Sequence, residues 1–147
     1  SPEVTALVSQ VAAHACVREA LTRQQRRLGE RGGLVAEGRD IGTAVFPDAE
    51  CKVFLTATVA ERARRRAEDL RQRGFAVPAL AELEASIAER DRLDSSRAVA
   101  PLRQADDAAE LITDGLTIEA VIQALVDLFR QAVPEEAWPG PQGQARA

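Results

Sequence analysis

Gly33-Leu34-Val35-Ala36-Glu37-Gly38-Arg39-Asp40-Ile41-Gly42-Thr43 is followed by Ala44-Val45-Phe46-Pro47-Asp48 and then by Cys51-Lys52-Val53-Phe54-Leu55-Thr56-Ala57. Two short apolar runs are separated by a turn containing proline. Runs of this length bounded by turn residues read as buried strands. In parallel sheets ligands gather outside the carboxyl ends of strands. Glu37, Arg39 and Asp40 stand at the end of the first run. Charges packed that closely are costly unless they meet a charged ligand or one another. A surface turn with a local ion pair and a ligand site are both compatible with that spacing.

Outward from this stretch, strands alternate with helices. Toward the N-terminus, Ser1 and Pro2 suit the N-cap and first position of a helix, with Val4, Leu7, Val8, Val11 and Ala12 at helical spacing. A second helical pattern runs from Val17 to Leu28 and stops at Gly32-Gly33. Toward the C-terminus, Thr58 caps a helix from Val59 to about Arg73, ended by Gly74. Its arginines alternate with Glu61, Glu68 and Asp69, as on a solvated helix. Arg62 and Arg66 are one turn apart on a shared face. Pro78 opens a helix that Pro101 breaks. Ala109 to Thr113 reads as a strand, and Thr117 caps a last amphipathic helix through Phe129. The sequence from Pro134 is rich in Pro, Gly and Gln and reads as a mobile tail. The pattern is α/β with a parallel sheet, but three visible strands are few for a sheet covered on both faces.

The bulk numbers exclude several function classes. The 147 residues suffice for one core. The net charge of -4 gives no basic field for nucleic acid, and 3% aromatics give little for base stacking. No run has the length of a membrane span, and the N-terminus carries no signal segment. Cys16 and Cys51 lack metal-ligand spacing and sit among apolar neighbours, which reads as buried thiols in a reducing compartment. His14 is the sole histidine, which excludes a multi-histidine metal site. Lys52 is the sole lysine.

Arg39, Arg90 and Arg97 come from different parts of the chain and can surround one anion. Guanidinium forks match phosphate oxygens with paired hydrogen bonds. Arg90, Asp94 and Arg97 share one helical stripe, and Asp40 and Asp94 can accept from an amino or hydroxyl group. A nucleoside monophosphate suits this set better than a nucleic acid strand, and Arg-Asp stripes also occur on solvated helices.

Val8-Ser9-Gln10, Val17-Arg18, Gln25-Arg26, Glu37-Gly38-Arg39-Asp40-Ile41-Gly42-Thr43, Phe46-Pro47-Asp48-Ala49, Glu61-Arg62-Ala63, Glu89-Arg90-Asp91, Asp94 and Arg97-Ala98-Val99-Ala100-Pro101-Leu102 occur in that order. Together they resemble the bacterial cytidylate kinases, from about Val8 to about Phe129. The resemblance implies a P-loop nucleoside-monophosphate-kinase-like parallel sheet flanked by helices, in the cytoplasm. It implies transfer of the γ-phosphoryl group of ATP, with Mg2+, to CMP or dCMP, by an enzyme that is monomeric when complete. By the same resemblance Ser9, Arg18 and Asp40 read the cytosine. Arg39, Arg90 and Arg97 hold the acceptor phosphate, and Asp94 takes the ribose hydroxyls. Glu37 lies near metal and phosphates, and Arg62 and Arg66 belong to the lid.

One departure is large. The family's first strand and Gly-x-x-x-x-Gly-Lys-[Ser/Thr] loop, which cradle the donor phosphates, are not in these residues. In the family that strand lies between the one ending at Glu37 and the one from Lys52 to Ala57. Residues 1–133 are thus expected to form a partial kinase domain, incomplete in its sheet and inactive alone, with 134–147 as its tail. The chain begins Ser1-Pro2-Glu3-Val4 and reads as part of something longer. A non-catalytic nucleotide-binding or partner-binding module remains the alternative.

Overall fold

The computed structural model describes Val11 and residues 14–138, so the first predicted helix, Val11 apart, and Ser9 lie outside the described residues. Helix α1 spans Ala15–Gly29, strand β1 Val53–Thr56, α2 Val59–Gln72, α3 Leu80–Ser95, β2 Ala109–Ile112 and α4 Ile118–Ala132. A π-helical turn, Ile41–Val45, lies between α1 and β1, and a 3-10 turn, Glu135–Ala137, follows α4. Among the described residues no helix is long and apolar enough to cross a membrane.

The sheet holds two parallel strands, with Val53 opposite Ala109 and Thr56 opposite Ile112. The expected strand at Leu34–Ala36 is not part of it. Those residues are exposed, Val35 at 98%, and carry no strand hydrogen bonds. An apolar run becomes a strand only where a neighbour supplies a ladder of donors and acceptors. None of the described residues offers one beside it. The other two strand expectations match within a residue or two.

Local chemistry explains the helix starts. The Thr58 hydroxyl accepts from the Glu61 backbone N–H at 3.3 Å, half of a capping box. The other half is not made by Glu61. The Thr58 backbone N–H instead donates to Asp114 Oδ2 at 2.9 Å, which ties the start of α2 to the turn after β2. Thr117 caps α4 in the same way, accepting from Ala120 N–H at 3.2 Å. Helix α3 begins at Leu80, two residues after Pro78, and ends at Ser95, well before Pro101.

The apolar core is small. Ala63, Ala67 and Leu70 form a stripe on α2 at i, i+4 and i+7 and pack against Leu83 and Ile87 of α3. The arginines flank this stripe, with only Arg65 on the opposite face of α2. The helix's N-terminal pairs join Glu61 to Arg64 at 2.8 Å and to Arg65 at 2.7 Å. Arg65 also donates to the Thr113 hydroxyl at 2.9 Å, a second tie between α2 and the end of β2.

The expectation of two buried thiols is corrected in part. Cys16 is exposed and Cys51 half-buried; α1 buries none of its residues among those described, so its apolar neighbours give Cys16 no cover. Burial raises the Cys51 thiol pKa. Lys52 lies just before β1 and pairs with Asp107 at 2.6 Å. The stretch after Pro134 begins with an anchored segment. The Trp138 indole N–H donates to the Val133 carbonyl at 2.8 Å. Its ring lies 6.4 Å from that of Phe129, with the Arg130 guanidinium 5.6 Å from the Trp138 ring centre.

Candidate functional site

The carboxyl end of β1, the start of α2 and the end of α3 meet at one charged cluster. Its centre is Asp94, whose side chain is fully buried. Among the described residues the two largest fully buried side chains are Val45 and Asp94, one of them a carboxylate. A buried carboxylate demands neutralising partners. Arg39 Nη1 reaches Asp94 Oδ2 at 2.6 Å, Arg97 pairs with Oδ1, and Arg90 Nε lies 3.8 Å from Oδ2. The three arginines expected to surround one anion thus surround one carboxylate, drawn from the loop after residue 37, from α3 and from the segment beyond it.

Asp91, which the sequence reading left without a role, extends the cluster. Its Oδ2 pairs with Arg62 Nη2 at 2.6 Å, and its Oδ1 lies 3.5 Å from Arg39 Nη1. Burial pushes the Asp91 carboxyl pKa up, but the Arg62 and Arg39 guanidiniums outweigh it, and the net shift is downward. Arg62 is anchored a second time, its Nε donating to the Ala57 carbonyl at 3.0 Å, just past the end of β1. Four guanidiniums meet two carboxylates here, an excess of two positive charges.

Backbone geometry holds these groups. The Leu102 N–H donates to the Asp94 carbonyl at 2.8 Å, folding the Arg97–Leu102 segment back on α3. Within it Ala100 takes φ of 51°, a left-handed conformation that L residues adopt at a cost. On the other side, Gly38 separates Glu37 from Arg39. A Cβ at Gly38 would lie 2.6 Å from Ile41 Cγ1, so the turn that delivers Arg39 needs glycine there.

Asp40, next to Arg39, is the N-cap of the π turn and pairs with Arg18 of α1. The pair is mostly buried, with 11% of the Arg18 and 16% of the Asp40 side chain exposed. Such turns are frequent at functional sites. Arg26, also on α1, donates to the Ala44 carbonyl at 2.7 Å and the Val45 carbonyl at 3.0 Å. It satisfies the carbonyl end of the turn and fixes it to the helix carrying Arg18.

Glu37 is exposed, and no described residue bonds its side chain. Arg66 pairs with Asp69 at 3.1 Å on its own helix and does not join the cluster. Ser9 lies outside the described residues. No group of three or more metal-ligating His, Cys, Asp or Glu side chains occurs among the described residues. A shallow hollow of about 220 Å³, lined by Lys52, Asp107, Leu128 and Ala132, lies at the other end of β1, where its lysine and aspartate neutralise each other.

Asp91 was legible only in part. It follows Arg90 and lies three residues before Asp94, on the same face of α3. Spacing along α3 could not reveal that Arg62 of another helix meets it.

A family model described as cytidylate kinase matches residues 1–131. A bifunctional pantoate ligase/cytidylate kinase of Synechococcus sp. (strain CC9902) is 75% identical over 142 residues, covering 97% of this chain and 29% of that protein. A protein of the same description from Prochlorococcus marinus (strain MIT 9313) is 76% identical over 139 residues, 95% of this chain and 28% of its own length. Another, from Parasynechococcus marenigrum (strain WH8102), is 72% identical over 143 residues, 97% of this chain and 28% of its own. The chain therefore spans less than a third of the length of these curated relatives. By the match over residues 1–131, the chain belongs to the cytidylate kinase family.

Proposed function

We propose that this chain supplies the acceptor side of a phosphotransferase that moves the γ-phosphoryl group of ATP to CMP or dCMP, giving CDP or dCDP. The observation that carries the reading is the cluster of Arg39, Arg62, Arg90 and Arg97 around Asp91 and Asp94, with its excess of two positive charges. A phosphate monoester carries about two negative charges at neutral pH, so it balances that excess.

The residues divide the work. Arg39, Arg90 and Arg97 grip the acceptor phosphate through planar forks. Arg90, held among the described residues only by its 3.8 Å contact, has donors to spare. Asp94 anchors the three arginines and takes the ribose hydroxyls once the acceptor phosphate draws guanidiniums off its oxygens. Arg18 and Asp40 read the base: the carboxylate accepts from the exocyclic amino group of cytosine, the guanidinium donates to ring acceptors, and Ser9 adds a hydroxyl. Arg62, with Arg66 one turn on along the same helix, neutralises charge on the group in flight. An oxygen of the acceptor phosphate attacks the γ-phosphorus, and ADP departs. Catalysis of this kind is mostly positioning and charge neutralisation. Arginines suit phosphate oxygens and not a cation. Mg2+ would therefore enter on the ATP phosphates, bound mainly by them and by water, with Glu37 as the exposed carboxylate nearest in sequence to the cluster.

The 147 residues contain no Gly-x-x-x-x-Gly-Lys loop, so by themselves they bind CMP weakly and do not turn over. The same feature favours a second reading, a nucleotide-binding module without catalysis. Phosphorylation assays on the full-length protein separate the two. We expect kcat/KM for CMP to exceed that for UMP by about thirtyfold or more, because uracil sets a carbonyl against Asp40, a mismatch of roughly 2 kcal/mol. Equal values for CMP and UMP would remove Arg18 and Asp40 from base recognition. Binding of CMP without any ATP-dependent product would establish the second reading.

A further inference from the structure

We infer that Asp91 is a positioning residue that couples Arg62 on α2 to Arg39 in the loop before the π turn, so that Arg62 faces the transferring group beside the acceptor phosphate that Arg39 holds. The inference rests on the phosphotransfer reading above and deepens it.

The geometry separates Asp91 from its neighbour Asp94. Asp94 engages the three arginines of the acceptor grip and does not touch Arg62. Asp91 splits its two oxygens, Oδ2 to Arg62 at 2.6 Å and Oδ1 toward Arg39 at 3.5 Å. It is therefore the carboxylate that links a helix to a loop from a different part of the chain. Arg62 has two anchors, the Ala57 carbonyl on Nε and Asp91 on Nη2. The first fixes the root of the guanidinium, and the second fixes the direction of its plane. With both in place Nη1 is left to donate elsewhere, and a planar fork held at two points loses little further freedom on meeting phosphate.

The Arg39 contact is the looser of the two. Arg39 Nη1 is shared between Asp94 at 2.6 Å and Asp91 at 3.5 Å. A phosphate that draws Arg39 toward itself leaves Asp94 still paired with Arg97, and leaves Asp91 to Arg62 alone. Engagement of the acceptor would thus strengthen the hold on Arg62, the arginine proposed to meet the transferring group.

The test compares Asp91→Asn, Asp91→Ala, Asp91→Glu, Arg62→Ala and the Asp91→Ala/Arg62→Ala double variant in the full-length protein, with kcat and KM for CMP measured separately. We expect Asp91→Asn and Asp91→Ala each to lower kcat about tenfold or more while KM for CMP changes less than about threefold. Asp91→Glu should recover part of the loss. The double variant should be no worse than Arg62→Ala, because the two residues act through one contact. A merely structural aspartate would lower the melting temperature and leave kcat per folded molecule at the wild-type value. Wild-type kinetics in the isosteric Asp91→Asn variant would overturn the positioning role even if Asp91→Ala fails to fold, and so would losses that multiply in the double variant. A wild-type protein that phosphorylates no CMP would overturn the function reading, and the positioning role with it. An active wild type with unaffected variants overturns the positioning role alone.

Discussion

Asp94 and Arg97 show how far single residues could be read before the fold was known. Helical spacing puts Arg90, Asp94 and Arg97 on one stripe, and the structure joins them as Asp94 with two of its three guanidiniums. The third, Arg39, is 55 positions away from Asp94 and could be joined to them only as a possibility. Arg66 differs because a local partner won. Asp69 lies three residues on and pairs with it at 3.1 Å, whereas Arg62, at the first turn of α2, reaches across to α3. The expected outcome for Arg97→Ala is a fall in kcat/KM for CMP of about a hundredfold or more in the full-length protein. Arg97→Lys should restore it only in part, since an ammonium lacks the planar fork. Arg71, 63% exposed and paired with Glu68, is the control, and Arg71→Ala should match wild type in steady-state kinetics. Full activity in Arg97→Ala would take that residue out of the acceptor grip.

Helices were easier to read than strands. Thr58 and Thr117 announce their helices because capping is local chemistry, a hydroxyl meeting an N–H three residues on. The run Leu34–Ala36 has the composition of a buried strand but needs a neighbour that local chemistry does not specify, and it stands exposed. The N-terminus of α2 also sets the response to acid. Arg64 and Arg65 hold the Glu61 carboxyl pKa down to about 2, and Asp91, Asp107 and Asp114 are likewise lowered by their partners. A carboxyl whose pKa is lower folded than unfolded stabilises the fold fully above its unfolded value, about 4. That contribution is lost as pH falls toward the folded value. The melting temperature should therefore show no acid loss from these groups between pH 7 and about 5.5, and drop steeply between about pH 4.5 and 2. A midpoint that already declines between pH 7 and 5.5 would mean that other groups dominate.

Across the whole molecule, the α/β class and the parallel pairing were legible from the alternation of elements. The extent of the sheet was not. Leu55, Ile112 and Ile118 are exposed at 53%, 58% and 74%, and the Leu34–Ala36 segment is bare as well. Apolar surface of this kind favours association or loose packing. Residues 1–147 made alone are expected to bind a hydrophobic dye and to unfold over a broad temperature range, without phosphorylating CMP. A sharp calorimetric transition with no dye binding would show that the two strands and their helices suffice.

The anchored ring at the end of α4 has an optical consequence. Trp138 is the sole tryptophan, and it sits against Phe129 and Arg130 with its N–H on the Val133 carbonyl. Intrinsic fluorescence of these residues therefore watches the C-terminal turn and is blind to the arginine cluster. Titration with CMP should leave the emission maximum unchanged. Denaturant should shift it to the red as the turn lifts from α4, so a fluorescence melt would time the release of that turn and an amide-based melt the loss of the α2–α3 core. Coincident curves would mean the turn and the core come apart in one cooperative step.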